Sequence, residues 1–273
     1  MAAPTDHPLA AIPPPRPNGV SICMLGSGSK GNAIYISSGA TQILIDAGFS
    51  GTEIERRFKA RGLAPDQLDA IVVSHEHHDH LNGVGVLARR YDLPVYMSAK
   101  TQAEAGPRMG RIKTIAHFAC GTDFSVNDVT IHPFSTSHDA CDPAGFTFRI
   151  DGRKIGIATD LGMATQLVKT HLNDCSCLVL EANHDTRMLE EGPYPWPIKQ
   201  RIKGRTGHLS NEASKALLMD ILHNDLAHVI LAHISETNNS PDKALSTVGE
   251  RLDKNAPKLT MALQHTPSPL ICL

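Results

Sequence analysis

The stretch SHEHHDHLNG, residues 74–83, places four histidines, one glutamate and one aspartate within six consecutive positions. It follows directly on the apolar run AIVV, a pattern that predicts a buried strand. Side chains two residues apart in an extended backbone point the same way, so His75 and His77 can bind one metal ion. Asp79 and His80 can then turn toward a second ion. Imidazole and carboxylate together suit zinc, manganese or iron better than magnesium or calcium.

The two remaining ionisable residues of the stretch, Glu76 and His78, occupy the alternate positions. We expect them to face solvent or to support the metal ligands from outside. A single histidine after a strand is usually a polar loop residue, but four histidines crowded into mid-chain are difficult to explain by packing alone. The stretch therefore predicts a metal site.

Three later segments have the same form, an apolar strand followed by a histidine or an aspartate. His138 follows IHPFSTS, Asp160 ends KIGIATD, and His233 ends HVILAH. Each alone is weak, because a polar residue after a strand is common. Together they supply the ligands that a site for two metal ions would need from other strand ends.

The whole chain has an ordinary globular composition, with 273 residues of which 41% are hydrophobic and 20% charged. Its net charge of −2 gives no overall attraction to nucleic acid or membranes, so any affinity for polyanions must come from a local patch. We find no C-x2-C pair, no secretory signal and no apolar run of about 18 residues. We therefore expect a cytoplasmic protein with reduced thiols and no membrane partner.

The domain organisation follows from the order of apolar segments. Residues 1–18 contain six prolines and little that could pack, and they are predicted to form a disordered tail. In residues 19–273, short strands alternate with amphipathic helices, which favours one domain with two packed sheets and helices outside. This is a four-layer αββα sandwich of the α/β (α+β) class. Helix N-caps are predicted at Ser50 and Ser210, and KLTMAL (258–263) is predicted as the last strand.

Several motifs together resemble a known family. HEHHDH matches the H-x-H-x-D-H signature of metallo-β-lactamase-fold hydrolases, and the later histidines and aspartate follow in the expected order. The segments GSGSKGNAIYI, ILIDAGFS, SHDA, EANHD, GHLSN and LAHISETNN make the chain similar to the YycJ/WalJ-like branch, which is nuclease-like. The resemblance extends from about Val20 to the last predicted strand.

The resemblance implies two divalent metal ions per chain, zinc or manganese. Two such ions activate water and clamp the attacking and leaving oxygens of an in-line displacement. A complete ligand set favours a working enzyme over a degenerate binding protein. The implied ligands are His75, His77 and His138 for the first ion, Asp79, His80 and His233 for the second, and Asp160 as a bridge.

Two features near the implied site favour a phosphodiester over the lactams and thioesters that the superfamily also attacks. Similar nucleases use a bridging carboxylate, as Asp160 would be. His208 lies just before the helix N-cap Ser210, where free N–H groups attract phosphate, and it could also protonate the leaving alkoxide. The predicted catalytic residues are Asp79, from the second set of implied ligands, and His208. A plain loop-capping role is the alternative for His208.

A third feature is the segment KQRIKGR (199–205), which has four basic side chains within seven positions of a slightly acidic protein. Such a segment could follow a nucleic-acid backbone, although a charge run is more often a solvated surface. Trp196, just upstream, could stack on a base or could simply anchor a loop. The basic side chains are Lys199, Arg201, Lys203 and Arg205.

Other polar motifs are weaker. Asn238 and Asn239 of ETNN could hydrogen-bond a phosphate or orient Asp79, and His184 or Asp185 could support a ligand from outside. GSGSKGN lacks the GK[ST] ending before a helix, so we do not expect nucleotide binding there.

These inferences predict a binuclear metal-dependent phosphodiester hydrolase, and the resemblance implies a 5′→3′ exonuclease acting on DNA or RNA. A small-molecule phosphodiesterase acting on a cyclic ribose phosphate or a cyclic nucleotide would share every ligand. The third alternative belongs to a different functional class: a non-catalytic metal-binding partner protein. The sequence leaves metal identity and oligomeric state open.

Overall fold

Two seven-stranded sheets packed face to face form the centre of the protein in the computed structural model, which describes residues 19–254 and 256–273. Each sheet has three antiparallel strand pairs toward one edge and three parallel pairs toward the other. The strands of the first sheet, in spatial order, are β14 (Ile271–Cys272), β1 (Ser21–Gly26), β2 (Ala33–Ser37), β3 (Gln42–Ile45), β4 (Ala70–Val72), β5 (Val95–Ser98) and β6 (Ile115–Phe118). Those of the second are β13 (Lys258–Met261), β12 (His228–Ala232), β11 (Cys177–Glu181), β10 (Arg153–Ala158), β9 (Ala144–Ile150), β8 (Val129–Ser135) and β7 (Phe124–Val126).

Helices connect the parallel strands and cover the outer faces of the sheets. Two short 3₁₀ turns, Pro65–Gln67 and Gly106–Met109, add to the connections. The α-helices of the described residues are α1 (Gly51–Lys59), α2 (His78–Leu81), α3 (Val84–Tyr91), α4 (Ala99–Ala105), α5 (Gln166–Leu172), α6 (Thr186–Glu191), α7 (Trp196–Lys203), α8 (Asn211–Ile221) and α9 (Pro241–Gly249).

Three apolar clusters show why the strands carry near-continuous hydrophobic runs. Along β1, Ile22 and Met24 point into the cluster between the sheets, whereas Cys23 and Leu25 point toward the helices outside. The third cluster lies between the second sheet and its own helices and includes Leu217 of α8. Because both faces of each sheet are covered, a strand needs apolar residues at every position. The predicted αββα sandwich is confirmed.

The helix starts predicted from capping residues are also confirmed. The Ser50 hydroxyl accepts from the backbone N–H of Glu53 at 3.3 Å, and the Ser210 hydroxyl accepts from that of Ala213 at 3.2 Å. Each bond satisfies one of the free N–H groups at a helix start. The histidine stretch itself ends in the short helix α2, and Gly83 separates α2 from α3.

Some elements escaped the sequence pattern. β13 occupies most of the segment predicted as the last strand, but β14 follows it and pairs with β1, so that prediction was wrong. Two residues are too few for a periodic signal. The helix α7 was also missed, because prolines flank Trp196; Pro197 is tolerated since it lies in the first turn. The tail predicted over residues 1–18 lies outside the described residues, and the domain boundary at residue 19 stays a prediction.

Candidate metal centre

The histidine stretch leaves the carboxyl end of β4 and folds over the edge where the two sheets meet. His75 and His77 lie in the loop, and the Nε2 of His75 is 3.1 Å from the Nδ1 of His77. The His138 side chain arrives from the loop after β8, and its Nε2 lies 3.2 Å from the same Nδ1. These three side chains converge tightly enough to hold one metal ion.

A second set of ligand atoms lies beside the first. Asp79 and His80 belong to α2, and the His80 Nε2 lies 3.5 Å from the Asp79 Oδ2. His233, directly after β12, brings its Nε2 to 3.8 Å from that same carboxylate oxygen. The six side chains that the resemblance assigns to two ions therefore lie side by side. The tightest clusters of the second set, however, join His80 to His75 and Asp160, and His233 to Asp160, Glu181 and His208.

Asp160 lies between the two groups. Its Oδ1 is 3.7 Å from the His138 Nε2, and its Oδ2 is 3.3 Å from the His80 Nε2. Oδ2 is buried and has no hydrogen-bond donor among the described residues. Burial raises the pKa of Asp160, but the imidazoles of His233 and His80 outweigh it and hold the pKa well below its usual range. A buried, ionised and partly unsatisfied carboxylate is suited to bridge two cations.

The ring nitrogens on the far side of the ligands also fit metal binding. In each of four histidines, one nitrogen lies against an oxygen of the protein, and the other faces polar side chains of the centre, among them the Asn32 amide 3.1 Å from the His80 Nε2. The Nδ1 partners are Ser74 Oγ for His75 at 3.0 Å, Asp46 Oδ2 for His80 at 2.7 Å, the Gly207 carbonyl for His138 at 3.2 Å, and Glu181 Oε1 for His233 at 3.0 Å. Nitrogen and carboxylate ligands held in this way suit a divalent metal ion such as zinc or manganese.

Glu181 is a site residue that sequence reasoning missed. It ends β11 and is fully buried, and its Oε1 lies 2.8 Å from the Nδ1 of His208. Its Oε2 accepts from the backbone N–H groups of Leu161 and Leu209. Burial opposes its charge, but the two imidazoles lower the pKa of Glu181 to about 2. Because both of its oxygens already meet donors, Glu181 is placed to orient His208 and His233. An acid closing an apolar strand was the available signal.

Asp46 and Asn32 support the second group and were likewise missed. Asp46, after β3, also accepts from the N–H and hydroxyl of Ser74 at 2.8 and 2.7 Å. Asn32 closes the GSGSKGN loop, and its Nδ2 donates to the Asp79 Oδ2 at 3.1 Å. Its Oδ1 accepts from the Gly28 N–H at 2.9 Å, which fixes the amide. This glycine-rich loop therefore positions the Asp79 carboxylate.

The asparagines predicted to touch substrate are buried. Asn239 donates to the Ala182 carbonyl at 2.9 Å and pairs with the amide of Asn211. Asn238 is 0% exposed. This placement does not support a direct contact with phosphate, and the amide lying against Asp79 is instead that of Asn32.

The residues of EANHD take three different positions. Asn183 donates to the His233 carbonyl at 2.8 Å and so supports a ligand through its backbone. Asp185 caps α6 and lies near Lys243. His184 is buried behind Ser210, and its Nδ1 has no partner among the described residues. Asn183, their neighbour in the sequence, therefore provides the support that we expected from His184 or Asp185.

Glu76 and His78 alternate in the sequence with the predicted ligands of the histidine stretch. His78 is exposed, as expected. Glu76 is buried, and its Oε1 accepts from the backbone N–H of Cys141 at 2.7 Å. Glu76 therefore ties the histidine stretch to the loop that carries His138.

A cleft of about 310 Å³ opens over the metal centre, and His208 lines it. Of the basic segment, Arg201 lines this cleft, and its Nε donates to the Asp139 carboxylate at 2.6 Å. Lys199 and Lys203 instead donate to Glu190 on α6. The four basic side chains therefore do not form one continuous positive groove; Arg205 is exposed at the end of the segment.

The fold and the site can now be compared with known proteins. The family profile described as the beta-lactamase superfamily domain matches residues 41–234. Exodeoxyribonuclease YycJ of Bacillus anthracis is 37% identical over 238 residues, covering 86% of this chain and 90% of that protein. The chain belongs to the beta-lactamase superfamily. Exodeoxyribonuclease WalJ of Streptococcus pneumoniae is 35% identical, with coverage of 86% and 88%. This second relative places the chain in the YycJ/WalJ-like branch.

Solved structures agree with this assignment at the level of the fold. The metallo-β-lactamase-fold protein YhfI of Bacillus subtilis superposes with a TM-score of 0.70 at 15% identity, covering 92% of this chain and 100% of that one. The predicted family, fold and enzyme class are confirmed: the chain is a metal-dependent hydrolase. Within the described part of the chain, none of the helices has the length and apolar character to span a bilayer.

Proposed function

We propose that this protein is an exodeoxyribonuclease that uses two divalent metal ions, zinc or manganese. The observation that carries the proposal is the pair of adjoining ligand groups joined by Asp160. Relatives named exodeoxyribonucleases cover nearly the whole chain, which supports DNA as the substrate. We further propose a 5′→3′ direction of digestion and a cytoplasmic location; the six cysteines, all free thiols, support the latter.

Seven residues would hold the ions, and their chemistry fits that task. When bound, the ions would polarise a water molecule and the scissile phosphodiester together. Asp79 is the catalytic carboxylate of the second group, because it faces both the cleft and two ligand histidines. The ligands are His75, His77 and His138 for one ion, Asp79, His80 and His233 for the other, and Asp160 for both.

His208 is the residue best placed to protonate the leaving alkoxide. Its Nδ1 is fixed by Glu181 at 2.8 Å, so the Nε2 is the nitrogen left for substrate. His208 lines the cleft and is partly exposed, whereas Glu181 behind it is fully buried. Glu181 would thus hold the imidazole in the orientation that a proton donor requires. Ser210, whose hydroxyl caps α8, marks the end of the same loop.

Contacts to the DNA backbone would come from the basic segment in unequal measure. Arg201 at the cleft and the exposed Arg205 are placed to meet phosphates near the scissile bond. Lys199 and Lys203 share Glu190, so they would contribute mainly to the longer-range field.

The test is digestion of 5′- and 3′-labelled single- and double-stranded DNA and RNA with Mn²⁺ or Zn²⁺. We expect mononucleotide products released from the 5′ ends of DNA. Asp160→Asn should fold with an unchanged circular dichroism spectrum and lose the activity. Absence of hydrolysis of every nucleic acid by the metal-loaded wild type, with turnover of a cyclic nucleotide, would identify the small-molecule phosphodiesterase instead.

A further inference from the structure

The cleft over the metal centre has walls of contrasting chemistry. Its floor is formed by carboxylates and imidazoles, among them Asp79 and His208. One wall is formed by α7 and the residues just before it: Tyr194, Ile198, Arg201 and Ile202. A substrate that fills this cleft must therefore present a charged group to the floor and an apolar surface to the wall.

The spacing along α7 explains this wall. Ile198, Arg201 and Ile202 are related by three and four positions, so they share one face of the helix. Lys199 and Lys203 share a different face, directed at Glu190. The side of α7 that faces the metal centre is thus mainly apolar, with one guanidinium.

Two side chains of the wall offer accessible aliphatic or aromatic surface to a ligand. Ile198 is 41% exposed although it is aliphatic and lies beside a polar site. Tyr194 is half-buried, and its hydroxyl donates to the Thr237 hydroxyl at 3.3 Å, which anchors the ring at the cleft. An anchored aromatic ring and an exposed aliphatic side chain offer flat contact area at little entropic cost.

We propose that Tyr194 and Ile198 receive the nucleobase of the terminal nucleotide while its phosphodiester reaches the metal centre. This inference rests on the proposed nuclease function and specifies how that site selects its substrate. A nucleobase matches the wall because its face is apolar and planar, and stacking tolerates any base. The Tyr194 hydroxyl is engaged with Thr237, so the wall reads the presence of a base and not its identity.

Arg201 completes the arrangement at the rim of the same wall. Its partner Asp139 lies 3.5 Å from the His138 Nε2, so the ion pair spans the distance between the wall and the metal ligands. A phosphate between base and floor would meet this guanidinium as a third partner. From the wall to the floor, the cleft thus offers an apolar contact, a guanidinium and the metal-ligand groups. This order matches that of the base, the phosphate and the scissile bond in one nucleotide.

The experiment compares two DNA duplexes that differ at the terminal nucleotide, one with a normal base and one with an abasic tetrahydrofuran residue. We expect the wild type with Mn²⁺ to cleave the normal duplex with a kcat/KM about 10-fold higher. Tyr194→Ala and Ile198→Ala should each reduce this ratio toward unity by slowing only the normal duplex. The four bases should differ by less than about 3-fold in the wild type.

Matched controls separate a lost contact from a damaged fold. Leu167→Ala removes another exposed aliphatic side chain, 49% accessible on α5, and should keep the wild-type ratio. Tyr194→Phe keeps the ring but loses its anchor to Thr237, so its ratio should lie between those of the wild type and Tyr194→Ala. A wild-type ratio near one, or equal losses on both duplexes in the alanine variants, would overturn the proposed wall. Failure of the nuclease function itself would appear differently, as no hydrolysis of either duplex by the wild type.

Discussion

Three residues of the metal centre adopt the left-handed backbone conformation, which non-glycine residues rarely use. They are Asp46, Asp160 and His233, with φ of 58°, 55° and 55°. Each follows directly on, or within two residues of, a strand end, where the chain must turn sharply while its side chain points into the centre. Such conformations concentrate at functional sites because the surrounding structure holds them in place. Aspartate tolerates this region better than most residues do.

The Asn32 amide is the clearest case of a residue that acts through a ligand. Asn32→Ala removes the donor to the Asp79 Oδ2 and leaves that carboxylate free to rotate. We expect metal affinity to fall by about 10- to 100-fold, since outer partners of ligands usually carry such an effect. Titration calorimetry with Mn²⁺ measures it, and Asn173→Ala, at the end of α5, is the control. Equal affinities for wild type and Asn32→Ala would contradict the assignment.

The His208–Glu181 pair makes a prediction about proton transfer. His208→Ala should lower kcat on DNA by about 100- to 10,000-fold, because the leaving alkoxide loses its proton donor. A p-nitrophenyl phosphodiester should be affected much less, since p-nitrophenolate leaves without protonation. Glu181→Gln should show the same pattern with a smaller loss. Equal losses on both substrates, measured by steady-state kinetics at saturating metal, would exclude the proton-donor role.

At the scale of elements, the turn after α7 connects the cleft wall to the catalytic histidine. The His208 N–H donates to the Ile202 carbonyl at 2.9 Å, and the Gly207 carbonyl lies 3.2 Å from the Nδ1 of His138. A Cβ on Gly207 would lie 2.2 Å from the Ile202 carbonyl oxygen. Only glycine therefore lets this turn close against the helix.

Gly207→Ala is consequently expected to displace both histidines. The clash is with backbone, which cannot rotate away as a side chain can, so we expect a loss of about 1–3 kcal/mol in the free energy of unfolding. Activity should fall further than stability, because His208 and His138 move together. Denaturant unfolding and DNA digestion measure the two effects. Gly249→Ala, whose Cβ would lie 3.3 Å from a flexible leucine, should change neither by much.

At the scale of the whole molecule, the metal centre joins the two sheets. The histidine stretch belongs to the first sheet, and the remaining ligands, His138, Asp160 and His233, follow strands of the second. The centre holds two carboxylates and five imidazoles close together. Without an ion, one buried oxygen of Asp160 would have no partner among them. Bound ions should therefore stabilise the association of the sheets as well as enable catalysis.

Removal of metal should accordingly lower the melting temperature. With each ion at about 100 times its dissociation constant, linkage predicts about 2.7 kcal/mol per ion, or about 5–10 °C per ion for a chain of this size. Thermal denaturation after chelation and after addition of Mn²⁺ measures the difference. The Asp160→Asn variant should show a reduced shift, and identical melting temperatures of the wild type in both conditions would contradict the prediction.

The sequence by itself determined the fold class and indicated the proposed metal ligands, because each has a local signal. Apolar runs at every position of a strand indicate sheets covered on both faces, and ligands crowd into SHEHHDHLNG or close such a run.

Only the tertiary structure decided the partners of those ligands. Asn32 lies far from Asp79 in the chain, and Glu181 resembles any acid at a strand end until His208 is placed against it. The same holds for KQRIKGR: its charge is local, but helical geometry and Glu190 turned two of its four cations away from the cleft. The composition of a segment can be read from the sequence alone, whereas the direction of a side chain depends on packing between distant segments.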